Sequence, residues 1–329
     1  MSEEILDSLW IEKYRPKTLK DLSLPERYAT DFDRMIGKCS IPNLLFSGPP
    51  GGGKTTLALV LCSKNGVLFN KKDNLLMANG SAKKSRSINF VDQVIEPFLK
   101  IPPARDKYKI VFMDEADQLT DESFKAFRGI IEKYHKGYGR FIFTCNYISK
   151  IPDPVQSRFT PYVFQQIPKE FVNDYCKTIL TAEKIEHTDK DITFVVNNLY
   201  PDVRKIINTI QKCSLDGSLD VNEEAVVTSE KKLLAAVVEI ISLIAKGEDN
   251  KIGGVINFII DILAKQDIEY RNIYTELFFM KKVPAPAKIV VNKYANEHQN
   301  CLIPHQHFMA MVFKIINALQ AYKKAVTGK

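Results

Sequence analysis

With 329 residues the chain is too long for one compact core, so two or three domains are expected. Its 45% hydrophobic and 26% charged content is ordinary for a globular protein, and no apolar run approaches the ~20 residues that cross a bilayer. Forty-six basic against 39 acidic residues leave a net charge of +7, which permits nucleic-acid binding without demanding it. The start, MSEEILDSLW, is acidic and lacks the apolar region of a signal peptide. Cys39, Cys62, Cys145, Cys176, Cys213 and Cys301 are scattered and form no C-x-x-C pair, which reads as reduced thiols in a cytoplasmic chain. His305 and His307 near Cys301 lack further ligands at metal spacing and read as plain surface or core histidines.

In chain order, Trp10-Ile11-Glu12-Lys13-Tyr14-Arg15-Pro16 reads as an extended, proline-limited lead-in to the first helix. Leu44-Leu45-Phe46 reads as a buried strand. Directly after it, Gly48-Pro49-Pro50-Gly51-Gly52-Gly53-Lys54-Thr55 matches G-x-x-x-x-G-K-[ST] and opens an apolar helix, the context a phosphate-binding loop requires. Glycines there let main-chain N–H groups turn around phosphate oxygens at the positive end of a helix. Lys54 is expected to reach the β- and γ-phosphates of ATP, and Thr55 to hold Mg²⁺. Gly51, Gly52, Gly53 and Thr56 complete the expected contacts of this loop.

Leu75-Leu76-Met77 is a second strand candidate. A helix is predicted over 88–98 with Ile88, Val91, Ile95 and Phe98 on one face, and Lys83, Lys84 and Arg86 crowd its start. Ile110-Val111-Phe112-Met113 is a third strand whose tip carries Asp114-Glu115-Ala116-Asp117. Asp114 is suited to orient Mg²⁺ and Glu115 to polarise the water that attacks the γ-phosphate. Thr120 is a good N-cap for a helix with Asp121 and Glu122 in its first turn and Phe124, Phe127, Ile131 and Tyr134 on its apolar face. Phe141-Ile142-Phe143 is the fourth strand. Such apolar runs suit a parallel sheet covered on both faces, and strand–helix alternation makes an α/β fold.

From about residue 166 helical periods dominate. Pro168 and Pro201 punctuate one block, Asp216-Gly217 marks a turn, and long apolar helical patterns cover 231–245, 252–265 and 307–323. Three parts are expected: an α/β core over 1–165, a small helical lid over 166–226 and an all-α collar over 227–329.

Taken together, these motifs resemble clamp-loader subunits of the replication factor C type, as far as about residue 215. The heptad from Trp10 to Pro16 is similar to the family's W-x-E-K-Y-R-P box, which packs near the adenine and makes Tyr14 and Arg15 candidate nucleotide contacts. Phe127-Arg128-Gly129-Ile130-Ile131-Glu132-Lys133-Tyr134 resembles the family helix after the carboxylates. Phe143-Thr144-Cys145-Asn146 resembles the sensor-1 strand end, which implies that Asn146 positions the attacking water. Pro154-Val155-Gln156-Ser157-Arg158-Phe159 is similar to the P-x-Q-S-R-C box, with Phe159 in place of cysteine. In that family the arginine, here Arg158, acts in trans on a neighbouring subunit's ATP. Pro201-Asp202-Val203-Arg204-Lys205-Ile206-Ile207-Asn208 resembles sensor 2, with Arg204 reaching the nucleotide from the lid.

The resemblance implies an AAA+ P-loop ATPase that works with other loader subunits, a ring-shaped sliding clamp and primer–template DNA, and has no membrane partner. Lys83, Lys84, Arg86, Lys125 and Arg128 are the candidates for phosphate contacts, though a solvated face explains a short basic run equally well. Asn79-Gly80-Ser81 and Tyr200-Pro201-Asp202 look more like the small subunit of T-even-type bacteriophage loaders, four copies of which join one distinct subunit. That narrower likeness implies a bacterial host's cytoplasm. The alternatives are a scaffold subunit that does not hydrolyse ATP, and another AAA+ ATPase such as a Holliday-junction helicase or remodeller. Lys54, Glu115 and Arg158 count against the first, and the EKYRP and QSR boxes against the second.

Overall fold

The computed structural model describes residues 9–68, 70–221, 226–265, 268–298 and 301–327. The first eight residues of the acidic start, and 222–225 ahead of the expected collar boundary, lie outside the described residues. The chain forms two compact units, 1–221 and 222–329.

In the first unit, five parallel strands run β1 Leu44–Ser47, β2 Leu75–Asn79, β3 Lys109–Asp114, β4 Gly139–Cys145 and β5 Thr160–Val163, in the order β2-β3-β4-β1-β5. The major helices are α1 Glu26–Gly37, α2 Lys54–Leu61, α3 over 88–100 and α4 Asp121–Tyr134. Side chains alternate across the sheet, as a two-residue period requires. Leu44, Phe46, Ile110, Phe112 and Ile142 enter one core with Phe32, Leu57 and Leu61 from α1 and α2. Leu45, Val111, Met113, Phe141 and Phe143 enter the other with Val91, Leu99, Phe124 and Phe127 from α3 and α4. All four predicted strands are present. The fifth, β5, escapes sequence patterning because Pro161 sits in it and only Tyr162 is buried. As an edge strand it tolerates the missing donor.

Helix α3 differs from the regular helix expected over 88–98. Residues Val91–Ile95 form a π-type turn and the helix runs on to Lys100. Pro97 has no N–H for the carbonyl four residues back, and the wider turn lies directly before it. The extra residue moves the buried stripe to Val91, Ile95 and Leu99, leaving Phe98 half-buried and Ile88 exposed. Helix α4 begins where expected, with Thr120 Oγ1 accepting from the Ser123 N–H at 3.3 Å.

Three longer helices follow the sheet in this unit: α5 Lys169–Ala182, α6 Asp189–Leu199 and α7 Val203–Lys212. The N-terminal heptad is tied to them, and it is not the extended lead-in expected: Trp10–Lys13 close a helical turn, with the Tyr14 N–H donating to the Trp10 carbonyl at 2.9 Å, and the chain extends only toward Pro16. The Trp10 N–H donates to Gln211 Oε1 (3.1 Å), Lys13 pairs with Glu183 (2.6 Å), and the Tyr14 hydroxyl donates to Glu183 (2.8 Å).

The second unit is all helical: α8 Ser229–Lys246, α9 Ile252–Lys265, α10 Tyr270–Phe279, α11 Ala285–Glu297 and α12 Pro304–Thr327. Helices α10 and α11 were not singled out from sequence, since their apolar stripes are short and α11 opens on prolines. The α12 seam of Phe308, Met311, Val312, Ile315 and Leu319 packs with Leu233, Val237 and Ile240 of α8 in one core. His305 contacts the Tyr270 hydroxyl, and His307 Nε2 lies 3.0 Å from the Tyr294 carbonyl oxygen.

Candidate functional site

The tips of the parallel strands meet in register: Asn79 of β2 lies opposite Asp114 of β3, and Ser47 of β1 opposite Cys145 of β4. Polar residues at these carboxyl ends border a cavity of about 490 Å³. It is lined by Gly51, Gly52, Gly53, Lys54, Thr55 and Thr56 from the loop, by Asp114, Glu115 and Asn146 from the strand tips, by Arg15 from the heptad, and by Arg204 from α7. Twelve of the sequence-named positions were expected here or at its metal, and Tyr14 is the one absent from the lining; Arg158, expected to act on a neighbouring subunit, is also outside it.

The loop starts at Gly48, whose φ of +140° suits glycine. A Cβ there would also lie 2.2 Å from the carbonyl oxygen of Phe164, the residue that follows β5, so the backbone there leaves room only for glycine. Lys54 opens α2 with only 8% of its surface exposed. Its ammonium donates to the carbonyls of Gly48 (2.7 Å) and Pro49 (2.8 Å) and to Asn146 Oδ1 (3.0 Å). Burial pushes the lysine below its ordinary pKa, against the opposing pull of Asp114, Asp117 and Glu115.

Thr55 Oγ1 donates to Asp114 Oδ1 at 3.0 Å, so a hydroxyl and a carboxylate lie side by side. These are hard oxygen donors of the kind Mg²⁺ takes. Thr144 was missed as a site residue. Its hydroxyl donates to Asp114 and accepts the Glu115 N–H at 3.1 Å, holding the two carboxylate residues together. A lone threonine in an apolar strand, one turn of pleat before Cys145-Asn146, was the available signal. Glu115 itself has a left-handed backbone (φ +53°). Gly80 presses against it: a Cβ on Gly80 would lie 2.4 Å from the Glu115 carbonyl oxygen. Asn79, also missed, lines the cavity beside this contact.

Arg15 pairs with Glu12 at 2.6 Å at the cavity edge, whereas the Tyr14 side chain turns to Glu183. Arg204 sits in the first turn of α7, which Asp202 caps through the Lys205 N–H at 3.0 Å. Arg158 contacts Glu132 of α4 and the Pro154 carbonyl, outside the cavity of its own chain. Phe159 is buried against Phe143, ring centres 4.7 Å apart, so the aromatic that replaces cysteine fills core space.

Lys83, Lys84, Arg86, Lys125 and Arg128 are all exposed. Their two segments are joined where the Arg86 carbonyl accepts Ser123 Oγ (2.7 Å) and the Thr120 N–H (3.3 Å). Arg128 pairs with Glu132 at 3.4 Å. No ion pair involves the other four among the described residues.

The family model "ATPase family associated with various cellular activities (AAA)" matches residues 44–167. The replication factor C small subunit of Aeropyrum pernix is 31% identical over 303 residues, covering 89% of this chain and 90% of the relative. That of Halobacterium salinarum is 36% identical over 220 residues, 66% of each chain. Among solved structures, the Thermotoga maritima RuvB Holliday junction branch migration motor superposes with a TM-score of 0.51 over 69% of this chain and 80% of that one. At 16% identity this likeness is one of fold. The parallel sheet, the P-loop, the strand-tip carboxylates and the near full-length match with the Aeropyrum pernix subunit agree, and the chain belongs to the replication factor C small-subunit family, AAA+ ATPases that serve as clamp-loader subunits.

Proposed function

We propose that the cavity binds ATP with Mg²⁺ and that hydrolysis there drives the loading of a ring-shaped sliding clamp onto primer–template DNA. The observation that carries this reading is the convergence of Lys54, Thr55, Asp114, Glu115, Asn146 and Arg204 on one cavity. Lys54 exchanges its carbonyl contacts for the β- and γ-phosphates. Thr55 and Asp114 hold Mg²⁺, which when bound supplies positive charge beside the phosphates. Glu115 polarises the attacking water and takes its proton, and Asn146 donates from its amide to orient that water. Arg204 brings positive charge from the helical lid, while Gly51, Gly52, Gly53 and Thr56 cradle phosphate oxygens and Arg15 borders the base.

Arg158 faces away from its own cavity, which supports a role in trans on a neighbouring subunit. The assembly would then be a hetero-oligomer, four copies with one distinct subunit, as in T-even-type phage loaders, working in the bacterial host's cytoplasm. Residues 1–165 serve as the nucleotide-binding core, 166–226 as lid and 227–329 as collar. The basic group of Lys83, Lys84, Arg86, Lys125 and Arg128 contacts DNA phosphates without reading bases. Among the described residues, no helix is long and apolar enough to cross a membrane.

Glu115→Gln tests the reading. It keeps size and hydrogen bonding but removes the base, so ATP should bind as in the parent while turnover stalls. Rapid turnover by this variant would sink the role given to Glu115.

A further inference from the structure

One carboxylate in the site is left over. Asp117 follows the Asp114–Glu115 pair in the short turn Ala116–Gln118 and is only 5% exposed. It reaches neither Thr55 nor the cavity lining. Its Oδ1 accepts the main-chain N–H of Asn146 at 3.3 Å, and its Oδ2 is buried with no hydrogen-bond partner. A carboxylate taken out of water with one long hydrogen bond costs stability, which an apolar residue of similar volume would avoid. Its hydrogen bond, however, falls on the residue whose side chain meets Lys54.

Asn146 lies at the end of β4, where the strand ladder no longer holds its N–H. Its side-chain Oδ1 accepts Lys54 Nζ at 3.0 Å, so the amide NH₂ is the group that remains to donate. The order of contacts is therefore Asp117 to the Asn146 backbone, and the Asn146 side chain to Lys54. With the backbone N–H unanchored, the residue can rotate about its own φ and ψ, and the amide leaves the position from which it meets both Lys54 and a water.

We propose that Asp117 is a positioning residue for ATP hydrolysis, fixing the backbone of Asn146 so that its amide stays aimed at the reacting centre. The inference rests on the reading of Asn146 as the group that orients the attacking water. It makes Asp117 act on the rate of the chemical step and leaves ground-state nucleotide binding, which depends on the loop and Lys54, largely untouched.

The test is a double-mutant cycle on ATP turnover by the full chain, co-purified with the subunits that assemble with it. Asp117→Ala should lower kcat about 10- to 100-fold, the range of a catalytic group misplaced by up to about 1 Å, with KM for ATP within about twofold. Asp117→Asn keeps a carbonyl oxygen for the Asn146 N–H and should restore kcat to within about threefold of the parent. Asn146→Ala should lower kcat, and adding Asp117→Ala to it should cost nothing more, because the group being positioned is already gone. A merely structural aspartate would move melting temperature alike in both Asp117 variants and leave their kcat values alike. The proposal is overturned if Asp117→Asn is as slow as Asp117→Ala, or if the Asp117→Ala and Asn146→Ala losses multiply. If Asn146→Ala turns over at the parent rate, the reading of Asn146 fails first and takes this one with it. Should Asp117→Ala not fold, Asp117→Asn combined with Asn146→Ala still decides: a further loss of kcat in the double variant refutes the positioning role.

Discussion

Adding one methyl group at Gly80 should disable hydrolysis while sparing nucleotide binding. A Cβ there would lie 2.4 Å from the Glu115 carbonyl oxygen and 3.1 Å from its carbon. Non-bonded heavy atoms sit comfortably at about 3.5 Å, so the two backbones must part by about 1 Å. Neither side yields easily. Gly80 is held by its N–H to the Asp114 carbonyl (2.7 Å), and Glu115 by its N–H to Thr144 Oγ1 (3.1 Å). The displacement falls on the residue proposed to polarise the water, and a 1 Å misplacement of a reacting group costs roughly 10²-fold in rate, about 2.7 kcal/mol of barrier. Overpacking also destabilises the fold by about 1–3 kcal/mol. The loop from Gly48 to Thr55 is untouched, so ATP affinity in Gly80→Ala should stay within about threefold. Turnover measured beside a fluorescent-nucleotide titration separates the two effects. A folded Gly80→Ala variant with a turnover within threefold of the parent would refute the reasoning, because Glu115 would then not depend on the place of its backbone.

Further outcomes follow from other parts of the molecule. Arg158→Ala should leave nucleotide affinity nearly intact and lower hydrolysis in the assembly by about 10³-fold or more, and mixing it with Lys54→Ala subunits should restore activity at interfaces that join two intact halves; absence of rescue in mixed assemblies that do form counts against action in trans. Replacing Lys83, Lys84 and Arg86 with alanine should weaken DNA binding and flatten its salt dependence by up to about one unit of slope per lost phosphate contact, whereas an unchanged slope returns them to a solvated face. In the second unit, burial, with a smaller push from His307, lowers the pKa of His298, whose Nδ1 lies 3.3 Å from the Tyr274 hydroxyl. The folded form therefore binds fewer protons there than the unfolded chain, so stability is full above the ordinary histidine value of about 6.5 and declines as pH falls from there toward the lowered folded value. The melting temperature of the full chain should drop between pH 7.5 and 5.5, and His298→Gln should flatten that drop; an equal drop in both chains rejects the assignment.

Much of this protein is local in its sequence. The apolar runs at 44–46, 110–113 and 141–143 specify strands buried on both faces because nearly every residue in them is apolar, the run at 75–77 specifies edge strand β2, where Met77 is exposed, and the G-x-x-x-x-G-K-T spacing specifies its loop through glycine conformations and a helix start. Thr120 specified the start of α4 through a single hydroxyl. Contacts between distant segments were not legible. Edge strand β5 is recruited by the exposed side of β1, since its own residues carry one buried side chain and a proline. The π-type turn in α3 moves the buried stripe by one residue, and periodicity assumes regular turns. Tyr14, one residue from Arg15 in the same heptad, turns from the cavity because Glu183, 169 residues on, offers its hydroxyl an acceptor. Thr144, Asn79 and Asp117 gained their places only when parallel register brought three strand tips level, for a hydrogen bond between strands depends on which residue lies opposite, and that is decided by the packing of the whole sheet.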